Sequence, residues 1–452
     1  MQRALDYANA HRPGELEELI RLCSQPSVSA TGNGIREAAA LVEEMMKEVG
    51  LTTRVVQRPG AHPVVLGSWD GGRERTVIFY NHYDVQPPEP LEEWHSDPFS
   101  PEVRDGKLYA RGVSDNKGDL AARLQAIKAY LAAEGSLPVN VRIMAEGEEE
   151  IGSAHLPQYL QDSADFLRGD VAIWEGGERN AHGALEMQLG CKGLIYIELI
   201  VRGASTDLHS SLAAIVPNPA WRLQQVLACL KDVANDRVLV DGFYDRVRPP
   251  TQAEEELLVR FPLDEDTYRR ELGLTSFIGN LTGLDLAKKL LYQPTCNIAG
   301  IVAGYTGPGS KTVLPREARV KIDFRLVPDQ DADEILRRVR LHIARCGFND
   351  VEVLVHGVEN PSQTPVDHPA VPVVVETARA TYGTEPVVQP RFAGTGPMAL
   401  FTRIGVPSIN GPGVGYYGSR VHAPDENIRV QDYFLGIEHL IRFLDAYART
   451  HA

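Results

Sequence analysis

The chain has 452 residues, enough for two or three domains, and its 43% hydrophobic and 24% charged residues are ordinary for a globular protein. A formal charge of -15 argues against a nucleic-acid partner, which needs a basic footprint, and against an anionic membrane surface. The five cysteines (23, 191, 229, 296 and 346) form no CxxC pair, so a cysteine zinc ribbon is excluded and a disulfide framework disfavoured.

The N-terminus, "MQRALDYANAHRPGELEELIRLCSQ", predicts an amphipathic helix and lacks the apolar core of a signal peptide. No run reaches the ~18 apolar residues of a membrane span, and a cytoplasmic protein is expected. "GIREAAALVEEMMKEVG" is helix-periodic and ends on a glycine stop. "RTVIFYNHYD" reads as a short apolar strand whose end places His82 and Asp84 on one face, because strand side chains alternate. "NKGDLAARLQAIKAYLAAEG" predicts a helix, "VNVRIMAEGEEE" a strand running into acid, and "GDVAIWEGG" a further short strand. This alternation implies a layered α/β sheet with polar groups gathered at the C-terminal ends of its strands.

From residue 189 the pattern changes. "KGLIYIELIVRG" alternates as a half-exposed strand should, and "NPAWRLQQVLACLKDVA" predicts a helix. "PTCNIAGIVAG" and "EARVKIDFRLVP" are strands, "DQDADEILRRVRLHIARCG" a helix and "DVEVLVHG" a last strand. The order β-α-β-β-α-β is that of a ferredoxin-like module, with residues 240–293 as an irregular acidic insertion. In its third strand Arg325 lies on the polar face. After residue 357 the α/β grammar resumes, with helices in "AVPVVVETARATYG" and "TGPMALFTRIG", strands in "EPVVQP" and "VPSING", and a final amphipathic helix in "VQDYFLGIEHLIRFLDAYART". One α/β domain with a mixed sheet, residues 1–188 and 358–452, is therefore expected, interrupted by a smaller module at 189–357.

The strand ends carry His82 and Asp84, Asp115 in "RGVSDNKGDL", the acids 148–150 in "AEGEEEIGS" and Glu175; His422 follows in "GSRVHAPDEN". Imidazoles mixed with carboxylates are borderline ligands that suit zinc and also manganese or cobalt. A two-metal site needs one shared carboxylate and terminal ligands on each ion, which this set supplies. No GxSxG marks a serine hydrolase. "GYTGPGSKT" has Ser310 where a phosphate loop requires lysine.

The ordered motifs "NHYDVQPPEP", "ARGVSDNKGDL", "EGEEEIGS" and "HAPDEN" resemble the dinuclear zinc peptidases and amidohydrolases, a family that includes carnosinase, non-specific dipeptidase, aminoacylase and glutamate carboxypeptidase. The resemblance spans nearly the whole chain. It implies two divalent ions per subunit, most simply zinc, with His82 and Glu175 on one, Glu150 and His422 on the other, and Asp115 bridging, followed by a cis peptide to Asn116. It further implies that Asp84 orients His82 and that Glu149 is the general base. The inserted module then corresponds to a lid and dimerisation domain. His209 in "STDLHSS" corresponds to a histidine that reaches the partner's active site in a homodimer and stabilises the oxyanion. Arg325, Thr312 and, in "RFAGTGP", Phe392, Gly394 and Thr395 correspond to substrate-binding positions. Dipeptidases carry "REGGS" there, and their Glu meets a free amino terminus; this chain has Phe392 instead. The expected substrate is a dipeptide or short peptide with a free carboxylate, or an N-acyl amino acid. A catalytically inactive binding relative is the non-enzyme alternative, and it would be expected to lack Glu149 or a ligand.

Overall fold

The computed structural model describes residues 1–261 and 263–450. Its largest sheet has six strands in the order Thr52–Val56, Val64–Trp69, Asn140–Glu146, Thr76–His82, Val171–Trp174, Ser408–Ile409. The first two pairings are antiparallel and the other three parallel, so the sheet is mixed. Alternation along Thr76–His82 separates two cores. Val77 and Phe79 face the helices Gln2–Ser24, Ile35–Glu48, Lys117–Glu134, Ala370–Tyr382 and Val430–Tyr447. Ile78 and Tyr80 face the opposite layer, where Leu156–Asp162 and Met398–Arg403 bring Tyr159, Leu160, Met398 and Phe401. Each such side chain contributes about 1.5–3 kcal/mol on full burial, so a one-residue slip of this strand is strongly disfavoured.

The three central parallel strands, 140–146, 76–82 and 171–174, end side by side. His82 pairs in register with Glu146, and Tyr80 with Trp174. The acids at 148–150 and Glu175 therefore emerge next to His82. The strand stops at His82, two residues before Asp84. The expected shared strand face is thus absent, and the two side chains meet through the turn that follows.

A second sheet has the strands Gly193–Arg202, Asn297–Ala303, Glu317–Leu326 and Glu352–Glu359. Its spatial order, second-third-first-fourth with every pairing antiparallel, is the ferredoxin-like order. Helices Pro219–Leu230 and Ala332–Arg345 cover one face, closing a core of its own around Ile195, Ile197, Val320, Ile322 and Phe324. The first strand is more deeply buried than its alternation predicts, because it is central and paired on both edges. The helix expected over 218–234 ends at Leu230, and Lys231–Asp232 instead pairs with Arg237–Val238 as a short hairpin. Within 240–293 the helices Gln252–Val259, Glu265–Glu271 and Gly283–Tyr292 form, the first closed by a Thr251–Glu254 capping box.

Candidate metal centre

His82 is fully buried, and its ring is held from behind. Nδ1 lies 3.1 Å from the Asp84 carbonyl oxygen and 3.4 Å from Asp84 Oδ1. Nε2 points into a group of acids, 2.9 Å from Asp115 Oδ1 and 3.9 Å from Glu175 Oε1. Asp115 faces both imidazoles at once, since its Oδ2 lies 3.1 Å from His422 Nε2. His422 Nε2 is also 3.1 Å from Glu150 Oε2, which accepts a hydrogen bond from Gln86 at 2.8 Å. The structure thus brings together every residue that the motifs single out as a ligand. Two subgroups, His82–Glu149–Glu175 and His82–Asp115–Glu150, place their ligand atoms within 4.8 Å of one another.

The three consecutive acids separate by role. Glu148 turns away, accepting from the His62 and His155 backbones and pairing with the His155 ring. The backbone N–H groups of Glu149 and Glu150 donate to the two oxygens of Asp84, at 3.3 and 3.0 Å. Asp84 therefore fixes His82 and both following acids. Before them, a Cβ on Gly147 would meet the Tyr83 hydroxyl at 2.4 Å, so only glycine lets the chain pass there.

Asp115 is presented by a loop that sequence reasoning did not explain. The Glu426 carboxylate, 1% exposed, accepts from the backbone N–H of Gly112, Ser114 and Asp115 at 2.8–3.0 Å and from Arg111 at 2.8 Å. The Asp115–Asn116 peptide is cis. Asp119, in the first turn of the next helix, accepts from Asn116 and from the Val414 backbone. Its oxygens lie 2.3 Å from where a Cβ on Gly176 would stand, which accounts for glycine after Glu175. Glu426 lies inside "HAPDEN" and Asp119 inside "DNKGDL". An acid at a core-facing position was the available signal for each.

The electrostatics describe a site short of positive charge. Burial pushes the Glu175 carboxyl well above the usual range, with Glu149 adding to it. Burial also raises Glu149, to about 7, with His82 opposing and Asp115 and Glu150 adding. Burial would raise Asp115 too, but hydrogen bonds from His422 and His82 outweigh it and hold that carboxyl well below its ordinary value. His422 is raised to about 10, chiefly by its hydrogen bonds to Asp115 and Glu150. Glu175 Oε1 is buried with no hydrogen-bond partner among the described residues. An orphaned carboxylate oxygen facing an imidazole nitrogen, beside a carboxylate shared by two imidazoles, is the donor set a pair of divalent cations requires.

Beyond the cluster a cleft of about 490 Å³ opens, lined among others by Glu149, Ser153, Tyr196, His356, Glu359 and Thr395. Arg325, on the second sheet, does not itself line the cleft, but its guanidinium donates to the lining Thr395 Oγ1 at 2.6 Å. Arg325 makes no salt bridge among the described residues. Phe392 and Gly394 are outside the cleft wall. Phe392 is 43% exposed and its ring lies over Gly394, while both carbonyls accept from the Lys192 backbone N–H. His209 and Thr312 stand together on a separate short ribbon, 3.5 Å apart, and neither hydrogen-bonds to the carboxylate cluster among the described residues.

Residues 78–446 match peptidase family M20/M25/M40. The chain belongs to that family. It is 30% identical to the human Beta-Ala-His dipeptidase, over all of this chain and 93% of the relative. It is also 30% identical to the Cys-Gly metallodipeptidase DUG1 of Candida albicans, over 76% of this chain and 75% of the relative. Among solved structures it resembles the M20 family metallo-carboxypeptidase Sso-CP2 from Sulfolobus solfataricus, with 42% identity, a TM-score of 0.90, and 96% and 99% of the two chains covered. As a member of the M20 family this chain is a metal-dependent peptidase, and its similar relatives include dipeptidases.

Proposed function

We propose that this M20 peptidase releases the C-terminal residue of dipeptides and short peptides, acting as a carboxypeptidase that does not require a free amino terminus. The observation that carries this reading is Arg325. Its guanidinium stands at the cleft near Thr395, free of any salt bridge among the described residues, where a substrate carboxylate completes a charge-assisted pair. At the motif position where dipeptidases carry a glutamate this chain has Phe392, outside the cleft wall, so no carboxylate there meets an ammonium group. The similarity to a metallo-carboxypeptidase at 42% identity points the same way.

In this reading His82 and Glu175 hold one divalent ion, Glu150 and His422 the other, and Asp115 both. Zinc is the first choice, and manganese or cobalt suits the same N/O donors. The ions, when bound, acidify a water and polarise the scissile carbonyl. Glu149 takes the proton of the attacking water and returns it to the leaving amine. Asp84 keeps His82 in the orientation and tautomer that ligation requires. Arg325 and Thr395 grip the carboxylate and fix the scissile bond.

Residues 1–188 and 358–452 are assigned as the catalytic domain and 189–357 as a lid that also dimerises. The edge strand Asn297–Ala303 exposes Ile298, Ile301 and Val302, which supports pairing of two lids. His209, which makes no hydrogen bond to the cluster among the described residues, then acts in the partner's site on the oxyanion, with Thr312 beside it. The five unpaired cysteines support a reducing, cytoplasmic setting, and no described helix is long and apolar enough to cross a membrane. The deciding experiment compares dipeptides, N-acetylated dipeptides, N-acetyl amino acids and C-terminal amides, with zinc, manganese or cobalt added. Turnover of the first two and none of the amides is expected. Turnover of N-acetyl amino acids alone would make the enzyme a deacylase.

A further inference from the structure

The helices of the second sheet carry another group of metal-binding side chains. Cys229 lies in the last turn of Pro219–Leu230; His342 lies in the last turn of Ala332–Arg345, and Cys346 follows that helix directly. One donor atom from each lies within 4.8 Å of the others. Cys346 Sγ is 3.7 Å from His342 Nε2. With Zn–S near 2.3 Å and Zn–N near 2.0–2.1 Å, neighbouring donors on a tetrahedral zinc stand about 3.5–3.8 Å apart. This pair is therefore already one edge of such a tetrahedron.

The other side of the imidazole is equally informative. His342 Nδ1 is buried without a hydrogen-bond partner among the described residues, and Asp241 Oδ2 lies 3.7 Å from it. Asp241 is itself held by Arg345 at 3.1 Å. A carboxylate behind the ring nitrogen that does not ligate is the usual support of a ligating histidine. In the metal-free arrangement Nε2–H donates to the Cys229 carbonyl at 2.9 Å, which leaves Nδ1 unsatisfied. Moving the proton to Nδ1 satisfies that nitrogen through Asp241 and frees the Nε2 lone pair toward the sulfurs. Cys346 is exposed, so a small ion has a way in, and all five cysteines are unpaired.

We propose that Cys229, His342 and Cys346 bind one thiophilic divalent cation of the zinc class, with water in the fourth position. The ion clasps the two helices of the second sheet and stands apart from the peptidase centre. On binding, each thiol loses its proton to solvent and both sulfurs coordinate as thiolates.

The peptidase cluster offers only nitrogen and oxygen donors, so sulfur ligation is a spectroscopic signature of the new site. The probe is cobalt(II) exchanged into the full-length holoenzyme. Wild type is expected to show thiolate-to-cobalt charge-transfer absorption in the near ultraviolet. Cys346→Ser should abolish it, lower the metal content by one ion per chain and keep peptidase turnover. Cys229→Ser should repeat the spectroscopic loss from the other helix. No charge-transfer band in wild type, together with equal metal content in wild type and both variants, would overturn the site. So would a freshly isolated wild-type protein whose intact mass shows a Cys229–Cys346 disulfide in place of two thiols.

Discussion

Asp84 receives the backbone N–H groups of Glu149 and Glu150 on its two oxygens and stands behind the His82 ring, so one carboxylate sets the positions of three functional side chains. The neighbours it orients are separable by experiment. Glu149→Gln removes the base without removing a ligand; nearly all turnover should vanish while metal content, read by mass spectrometry of the native protein or by elemental analysis, stays at the wild-type value. Asp115→Ala should instead lose both ions, because its two oxygens face opposite imidazoles. Retention of one tightly bound ion in that variant would point to a mononuclear centre. Phe392 belongs to the same scale. A half-exposed charged pair is worth about 1 kcal/mol, so Phe392→Glu should raise the kcat/KM ratio of free-amino over N-acetylated dipeptides several-fold to tenfold. An unchanged ratio removes Phe392 from amine-side recognition and leaves it as a cap over Gly394.

Among the elements, the helix Gln252–Val259 shows how the insertion is tied to the segment that leads to Thr395. Glu254 accepts from Arg248 and from the Thr251 backbone, and lies 3.4 Å from the buried Arg391, the residue before Phe392. Burial alone would raise the Glu254 carboxyl, but Arg248 and the Thr251 N–H outweigh it and bring it down to about 2. A depressed carboxylate binds its proton less tightly folded than unfolded. Its contribution to stability is complete above the ordinary value near 4.5 and is lost as pH falls toward 2. Glu254→Gln should therefore melt below wild type at pH 7, with the gap closing as the pH approaches 3; a gap independent of pH would deny the charge any role. Much of the element plan was legible in the sequence, because alternation and the 3.6-residue period report burial directly, as in Thr76–His82 and Val430–Tyr447. The clustering of His82, Asp115, Glu150, Glu175 and His422 was legible from the motifs, although Asp115 and His422 lie in loops and not at the expected strand ends. Glu426 and Asp119 were not. Most of their partners are backbone N–H groups, which leave no mark on composition, and Glu426 holds a loop more than 300 positions away. The turn of Glu148 away from its two neighbours likewise rests on His62 and His155, which no local pattern connects.

For the whole molecule, the proposed action of His209 in a partner's site would make activity a property of two chains. His209→Ala should lower kcat by roughly 10²–10³, the scale for one oxyanion donor. Mixing it with an Arg325→Ala variant should recover part of the lost activity, since one hybrid site then takes His209 from one chain and Arg325 from the other. No recovery after subunit exchange has been confirmed would place His209 outside the partner's site. The meeting of Asp115 with His422 carries a different consequence. They stand 307 positions apart, so during synthesis the ribosome must deliver almost the entire catalytic layer before the last imidazole can join the other donors. Until His422 is made, His82, Asp115, Glu150 and Glu175 lack the imidazole that meets Asp115 and Glu150 in the finished fold. Tight capture would then act as a checkpoint on finished chains, and scarcity of the bound metal in a growing cell should show itself first as newly made, protease-sensitive protein, while older, loaded copies persist.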